Sequence, residues 1–87
     1  MTTDIDELPL GLKQTFADVL RVGVDEVNLN SSSKNTRNWD SLRHVELVVA
    51  IEEKYDVSFS QTEVFALNTA RGFRDMLTRK NVDLSKV

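Results

Sequence analysis

The sequence predicts an all-α domain, a small bundle of three main helices with one short helix between the last two. Apolar residues recur at helical spacing in three separate windows of the chain. Residues suited to capping, Asp40, Ser60 and Thr69, stand directly before three of the four expected helix starts. The length of 87 residues allows one domain and one modest core, with no large enclosed pocket. The expected unit is therefore a single domain over residues 1–87, with its core at about 8–80 and loose termini.

In the first window Leu8, Leu12, Phe16, Val19 and Leu20 line one face, which predicts a helix over 8–21. Pro9 suits a first turn, where a missing N–H is tolerated. Gly23 is expected at or just past the helix end. Residues 22–40 form a long polar connection with three apolar anchors, Val24, Val27 and Leu29. Loops of this length in small domains are functional or tied down at points. Trp39 closes the loop and is expected to cover the core.

The second helix is expected over 41–55, with Asp40 as its cap. Val57 and Phe59 alternate with Asp56 and Ser58, as in a short extended link. Ser60 and Glu63 form a capping-box pattern ahead of a short helix over 61–66, with Val64 and Phe65 directed inward. Thr69 caps the last helix, whose apolar face is Ala70, Phe73, Met76 and Leu77, and Lys80 and Asn81 mark its end.

Charge and composition narrow the function. Net charge is −3, but residues 1–56 carry −5 and residues 57–87 carry +2. The acidic half contains the second helix, which favours basic protein surfaces over nucleic acid as partners. No apolar run reaches membrane-spanning length, and the N-terminus lacks a signal-peptide pattern. With no cysteine, disulfides and thiolate metal sites are excluded, and a cytoplasmic location is the natural expectation. No other metal-ligand pattern is present.

The second helix carries two apolar stripes. At 100° per residue, Leu47, Val48, Ile51 and Tyr55 share one face. Leu42, Val45 and Val49 share nearly the opposite face, bordered by Glu46, Glu52 and Glu53. A helix buried on both sides would place those glutamates poorly. One stripe is therefore expected in the core and the other against a partner.

Asp40-Ser41-Leu42 at the head of this acidic helix resembles the attachment motif of acyl carrier proteins and related peptidyl carriers. The variant Trp39-Asp40-Ser41-Leu42 followed by His44 is similar to that of stand-alone carriers of specialised metabolism. The resemblance spans residues 8–80 and includes Val45-Glu46-Leu47 and Glu52-Glu53-Lys54-Tyr55-Asp56-Val57. It implies that Ser41, with Asp40 and Leu42 beside it, carries 4′-phosphopantetheine derived from coenzyme A. It further implies a monomeric carrier of acyl or aminoacyl thioesters, without catalysis of its own. The implied partners are a phosphopantetheinyl transferase and acyl-activating, ketosynthase or acyltransferase-type enzymes. They would dock on Leu42, Arg43, Val45, Glu46, Val49, Glu52 and Glu53.

Other readings of the same residues exist. Ser41 can be a plain capping serine on an unmodified helical adaptor, with the glutamates a solvated face. Ser41 and His44 lie three apart and can be neighbours on a helix, but a catalytic pair also needs an orienting group and a pocket. His44 otherwise reads as a first-turn residue beside the cargo exit, or as a partly exposed polar residue. Arg43 departs from the acid found there in many fatty-acid carriers, and Lys54 interrupts the acidic run. A base in the first turn opposes the helix dipole. In the resembling family short acyl chains enter a cleft between core helices, for which Val48, Ile51, Phe65, Ala66 and Phe73 are the candidate lining here.

Overall fold

The computed structural model describes residues 8–82 and Leu84. Residues 1–7, expected to fray, lie outside the described residues, as do Asp83 and 85–87. The helices are α1 (Leu10–Leu20), α2 (Ser41–Tyr55), α3 (Gln61–Ala66) and α4 (Ala70–Arg79). A 3-10 turn occupies Val24–Glu26. The only extended pairing among the described residues is an isolated antiparallel bridge between Ser32 and Thr69. The all-α expectation of three main helices and a short one holds.

Helix α1 begins two residues later than expected. Pro9 is its cap residue rather than a first-turn residue, and the Pro9 carbonyl accepts from Lys13 N–H at 2.9 Å. Leu12, Phe16, Ala17 and Leu20 are its buried face. The helix ends on Arg21, which enters the left-handed region at φ 58°. Gly23 is therefore not the terminator: it sits at φ −68° and heads the 3-10 turn, where Glu26 receives its N–H at 3.1 Å.

The long connection is anchored at both ends. Val27 and Leu29 are buried as expected. Val24 is exposed instead, because it opens the 3-10 turn, none of whose residues is buried. Buried Ser31 accepts from Asn28 N–H at 3.0 Å and offers its carbonyl to Ala70 N–H at 2.9 Å. Ser33 N–H reaches the Asn68 carbonyl at 3.1 Å. Asn38, left-handed at φ 69°, donates its amide to the Leu20 carbonyl at 2.8 Å. The loop is thus stitched to the end of α1 and to the link before α4, which fixes the chain entering α2.

Three expected caps are made. Asp40 accepts from Arg43 N–H, Ser60 and Glu63 exchange bonds as a capping box, and Thr69 accepts from Gly72 N–H. Glu63 also meets Lys80 at 3.0 Å, tying α3 to the end of α4. The Ser60 N–H, then the Lys80 ammonium, hold the Glu63 carboxyl below its ordinary value. Helix α3 departs from expectation in its inward face. Val64 is partly buried, but Phe65 is 77% exposed, and Leu67 just past the helix is buried in its place. Adjacent helical residues lie 100° apart, and in α3 it is Val64 that takes the inner side and Phe65 the outer.

The core joins α1, α2, α4, Trp39 and Leu67. Its centre is aromatic. Phe16 meets Trp39 and Phe73 edge-on at 5.5 and 5.4 Å between ring centres, and Phe59 meets Phe73 at 6.2 Å. Such edge-to-face pairs add to burial. From α2, Leu47, Val48 and Ile51 enter this core.

Ile51→Ala should cost about 2–5 kcal/mol in denaturant unfolding, whereas Val49→Ala, on the outer stripe, should stay within about 0.5 kcal/mol. Because the Glu63 carboxyl titrates below its ordinary 4.5, its stabilisation is full above that value and disappears as the pH falls through the folded value. Glu63→Gln should therefore lower Tm at neutral pH, with the gap to the parent protein narrowing as the pH falls below the ordinary 4.5.

Candidate functional site

Ser41 is the first residue of α2 and is exposed. Asp40, extended at φ −107°, ψ −171°, accepts from Arg43 N–H through its carboxylate at 2.9 Å and from His44 N–H through its carbonyl at 2.9 Å. Those bonds serve the third and fourth N–H groups. By position, the N–H groups of Ser41 and Leu42 have no acceptor within the helix and lie at its positive end.

Behind Ser41 stands a two-ring contact. Trp39 is buried, and its Nε1–H donates to His44 Nδ1 at 3.1 Å. The two rings stack at 18° with centres 6.2 Å apart. The other imidazole nitrogen, Nε2, lies 2.9 Å from the Val64 carbonyl of α3. An indole N–H can only donate and a carbonyl can only accept, so His44 is the neutral tautomer with its proton on Nε2. His44 thereby bolts the loop, the first turn of α2 and the end of α3 together. It is a partly exposed first-turn residue, as expected, and is no base for Ser41, because both ring nitrogens are committed. The signal for this was present in the five-residue spacing from Trp39 to His44, but not the fact that Val64 would supply the third member.

An open groove of about 380 Å³ lies beside this contact. Ser41 and Val45 are on its α2 side, Val64 and Phe65 on its α3 side, and Leu67, Asn68 and Ser33 complete it. Leu67 and Asn68 escaped the sequence reading as site residues, while Phe65, expected to line a cleft between core helices, lines this outer groove instead. A phenylalanine at the end of so short a helix looks like a core residue until the position of Leu67 is known.

The structure brings Leu42, Val45 and Val49 to the surface as one stripe, 64%, 55% and 46% exposed. Glu46 and Glu53 flank it and are exposed. Glu52 does not join them as expected. It is half-buried, and its carboxylate accepts the Phe59 N–H at 2.8 Å, closing the link from α2 to α3. Arg43 is not a lone exposed base either: its guanidinium pairs with Glu46 at 3.0 Å. The expected cargo cleft is not assembled. Val48, Ile51 and Phe73 are inside the core, while Phe65 and Ala66 face outward.

Ser41 at a helix head, uncommitted and beside a groove, suits a covalently attached phosphodiester arm. Residues 11–77 match the family described as phosphopantetheine attachment site. The chain is 33% identical over 70 residues to an acyl carrier protein of Buchnera aphidicola, covering 80% of this chain and 89% of that one. It is 30% identical over 79 residues to polyketide-8 synthase acyl carrier protein 2 of Streptomyces avermitilis, covering 91% and 88%. A match of 32% over 76 residues to polyketide synthase PksL of Bacillus subtilis covers 87% of this chain and 2% of that one. The chain belongs to the phosphopantetheine-attachment family, as an acyl carrier protein whose cofactor is covalent 4′-phosphopantetheine. No helix among the described residues is long and apolar enough to cross a membrane.

His44→Ala removes the partner of both Trp39 Nε1–H and the Val64 carbonyl. It should cost about 1–3 kcal/mol while leaving helical content intact. Tryptophan emission should shift to the red as the indole becomes wetter. Unchanged emission and stability would mean that the contact contributes nothing.

Proposed function

We propose that Ser41 is the attachment residue and that the protein presents acyl or aminoacyl thioesters to a series of biosynthetic enzymes. The observation that carries this is the exposed Ser41 hydroxyl at the first position of α2, with Asp40 holding the turn and an apolar stripe beginning one residue later. In the priming reaction the Ser41 oxygen forms a bond to the phosphorus of the pantetheine phosphate. The phosphoanhydride bond of coenzyme A breaks, adenosine 3′,5′-bisphosphate leaves, and the hydroxyl proton passes to a base of the transferase. A divalent metal for this step belongs to that enzyme. The carrier then performs no bond chemistry of its own, and the terminal thiol of the arm holds the cargo.

The docking surface is Leu42, Val45 and Val49 with Glu46 and Glu53 at the rim, an apolar centre with a charged border. Asp40 and Leu42 shape the attachment turn. Weak, charge-assisted docking suits a carrier that each enzyme must release quickly. Glu46 is partly neutralised by Arg43, so the rim is less acidic beside Ser41 than farther along the helix. A partner reading an unbroken acidic rim meets the guanidinium with repulsion, which selects for enzymes presenting an acid or a neutral group there. This separates the protein from a general fatty-acid carrier and favours a specialised, secondary-metabolite or fatty-acid-like pathway. Its partners are then a phosphopantetheinyl transferase and acyl-activating, ketosynthase or acyltransferase-type enzymes of the cytoplasm.

Incubation with coenzyme A and a promiscuous transferase should add one phosphopantetheine by intact mass, and Ser41→Ala should abolish the gain with the fold unchanged. A gain that persists in Ser41→Ala, or maps to Ser31, Ser32 or Ser33, would sink the assignment. Arg43→Asp removes the Glu46 partner and adds an acid. It should raise turnover with a generic fatty-acid synthase partner and lower it with the cognate enzyme. Equal rates with both would leave Arg43 a neutral surface residue.

A further inference from the structure

We infer that the outer face of α4 is a second docking surface, which takes an acidic protein surface and leaves the α2 stripe open. The inference does not depend on Ser41 as the attachment residue. It rests on how the bases of the last helix are placed and on two of them that lack a carboxylate.

Helix α4 is sharply two-sided. At 100° per residue Ala70, Phe73, Met76 and Leu77 lie on one side, and all four are buried. Arg71, Arg74, Asp75, Thr78 and Arg79 fill the opposite arc, and none of them is buried. Arg74 pairs with Asp75, the one acid of the helix, at 2.9 Å. Arg71 and Arg79 have no carboxylate partner among the described residues. Arg71 reaches the Asn30 amide oxygen at 3.5 Å, and Arg79 reaches the Met76 sulfur at 3.7 Å. The loop adds a third base. Ser33 N–H donates to the Asn68 carbonyl at 3.1 Å, and Ala70 N–H donates to the Ser31 carbonyl at 2.9 Å. These bonds bring the segment of exposed Lys34 to the head of α4.

Exposed charge ordinarily means a solvated face. Arg79 fits that reading, because a base in the last turn suits the helix dipole. Arg71 does not. It stands in the first turn, where acids are favoured and none is present. The corresponding base of α2, Arg43, is compensated by Glu46, and Arg71 has no such neighbour.

The chemistry of the face selects its occupant. The arc offers no apolar side chain to a bilayer and no aromatic ring to a nucleic-acid base. A second copy would have to bring its α2 rim, where Arg43 already covers Glu46, and a head-to-tail contact of that kind does not close at two chains. An acidic protein surface supplies the missing carboxylates directly, and guanidinium groups bind carboxylates well. Ten residues of helix span about 15 Å, less than a full interface needs, so the contact is weak and salt-sensitive and serves steering and choice of partner. The buried sides of α2 and α4 meet in one core, so their outer faces turn in different directions.

The test titrates the ¹⁵N-labelled full chain with a peptide of Glu-Glu-Ala repeats at low ionic strength. Signals of Lys34, Arg71, Thr78 and Arg79 should shift while Val45 and Val49 stay still, and affinity should fall several-fold at physiological salt. Arg71→Glu with Arg79→Glu should abolish the shifts with helical content unchanged. Lys13→Glu with Lys54→Glu makes the same change in net charge on α1 and α2 and should keep most of the affinity. Equal loss in both double variants would overturn the inference in favour of a net-charge effect, and unmoved α4 signals would overturn it outright. Oligouridylate shifting the same signals more strongly than the peptide would overturn it in favour of nucleic acid. Broadening of those signals with protein concentration alone would overturn it in favour of a second copy.

Discussion

The indole N–H of Trp39 points at one nitrogen of His44, and the other nitrogen of His44 holds the Val64 carbonyl. Three segments that differ in kind meet at this imidazole: the end of a long polar loop, the first turn of α2, and a short helix of six residues. Each has local hydrogen bonds of its own, and each gains a tie to the others here. The loop has no repeating ladder, a first helical turn has N–H groups without acceptors, and a helix of six residues is below the length that is stable alone. A neutral histidine with one acceptor and one donor nitrogen can satisfy both neighbours at once, and an imidazolium cannot.

Consequences spread from there in two directions. Inward, the imidazole is one ring of an aromatic cluster with Trp39 and Phe73, which extends to Phe16 and Phe59 and gives a short chain a dense centre. Outward, it fixes the distance between α2 and α3 and so shapes the groove beside Ser41. The loop contributes through backbone stitching rather than through mass. The contacts from Asn38 to Leu20 and from Ser31 and Ser33 to the start of α4 hold its ends, which lets α2 begin at a defined residue. Ser41 is then presented by a rigid turn, while the apolar stripe of Leu42, Val45 and Val49 continues from it along an exposed face.

Much of this was legible in the sequence because the chemistry concerned was local. Asp40, Ser60 with Glu63, and Thr69 cap their helices within three residues, so a linear reading finds them. The two stripes of α2 follow from helical periodicity alone and separated Ile51 from Val49 correctly. The Asp40-Ser41-Leu42 pattern, on which the proposed attachment rests, is likewise contiguous. What escaped depended on contacts across the chain. Phe65 lost the inward position to Leu67, a residue outside the helix whose burial depends on how the link to α4 runs. Glu52 was diverted to a backbone N–H seven residues away, and Arg43 to Glu46. His44 could be placed beside Ser41 from spacing, but its carbonyl partner is twenty residues on and has no sequence signal.

The protonation pattern of His44 tests the account most directly. Long-range ¹H–¹⁵N NMR of the imidazole, near neutral pH and on uniformly labelled protein, separates the two neutral tautomers and the imidazolium. The account predicts a single neutral form with its proton on Nε2, an unprotonated Nδ1, and a Trp39 indole proton protected from solvent exchange. A proton on Nδ1, or a ring averaging between tautomers beside a freely exchanging indole, would contradict it.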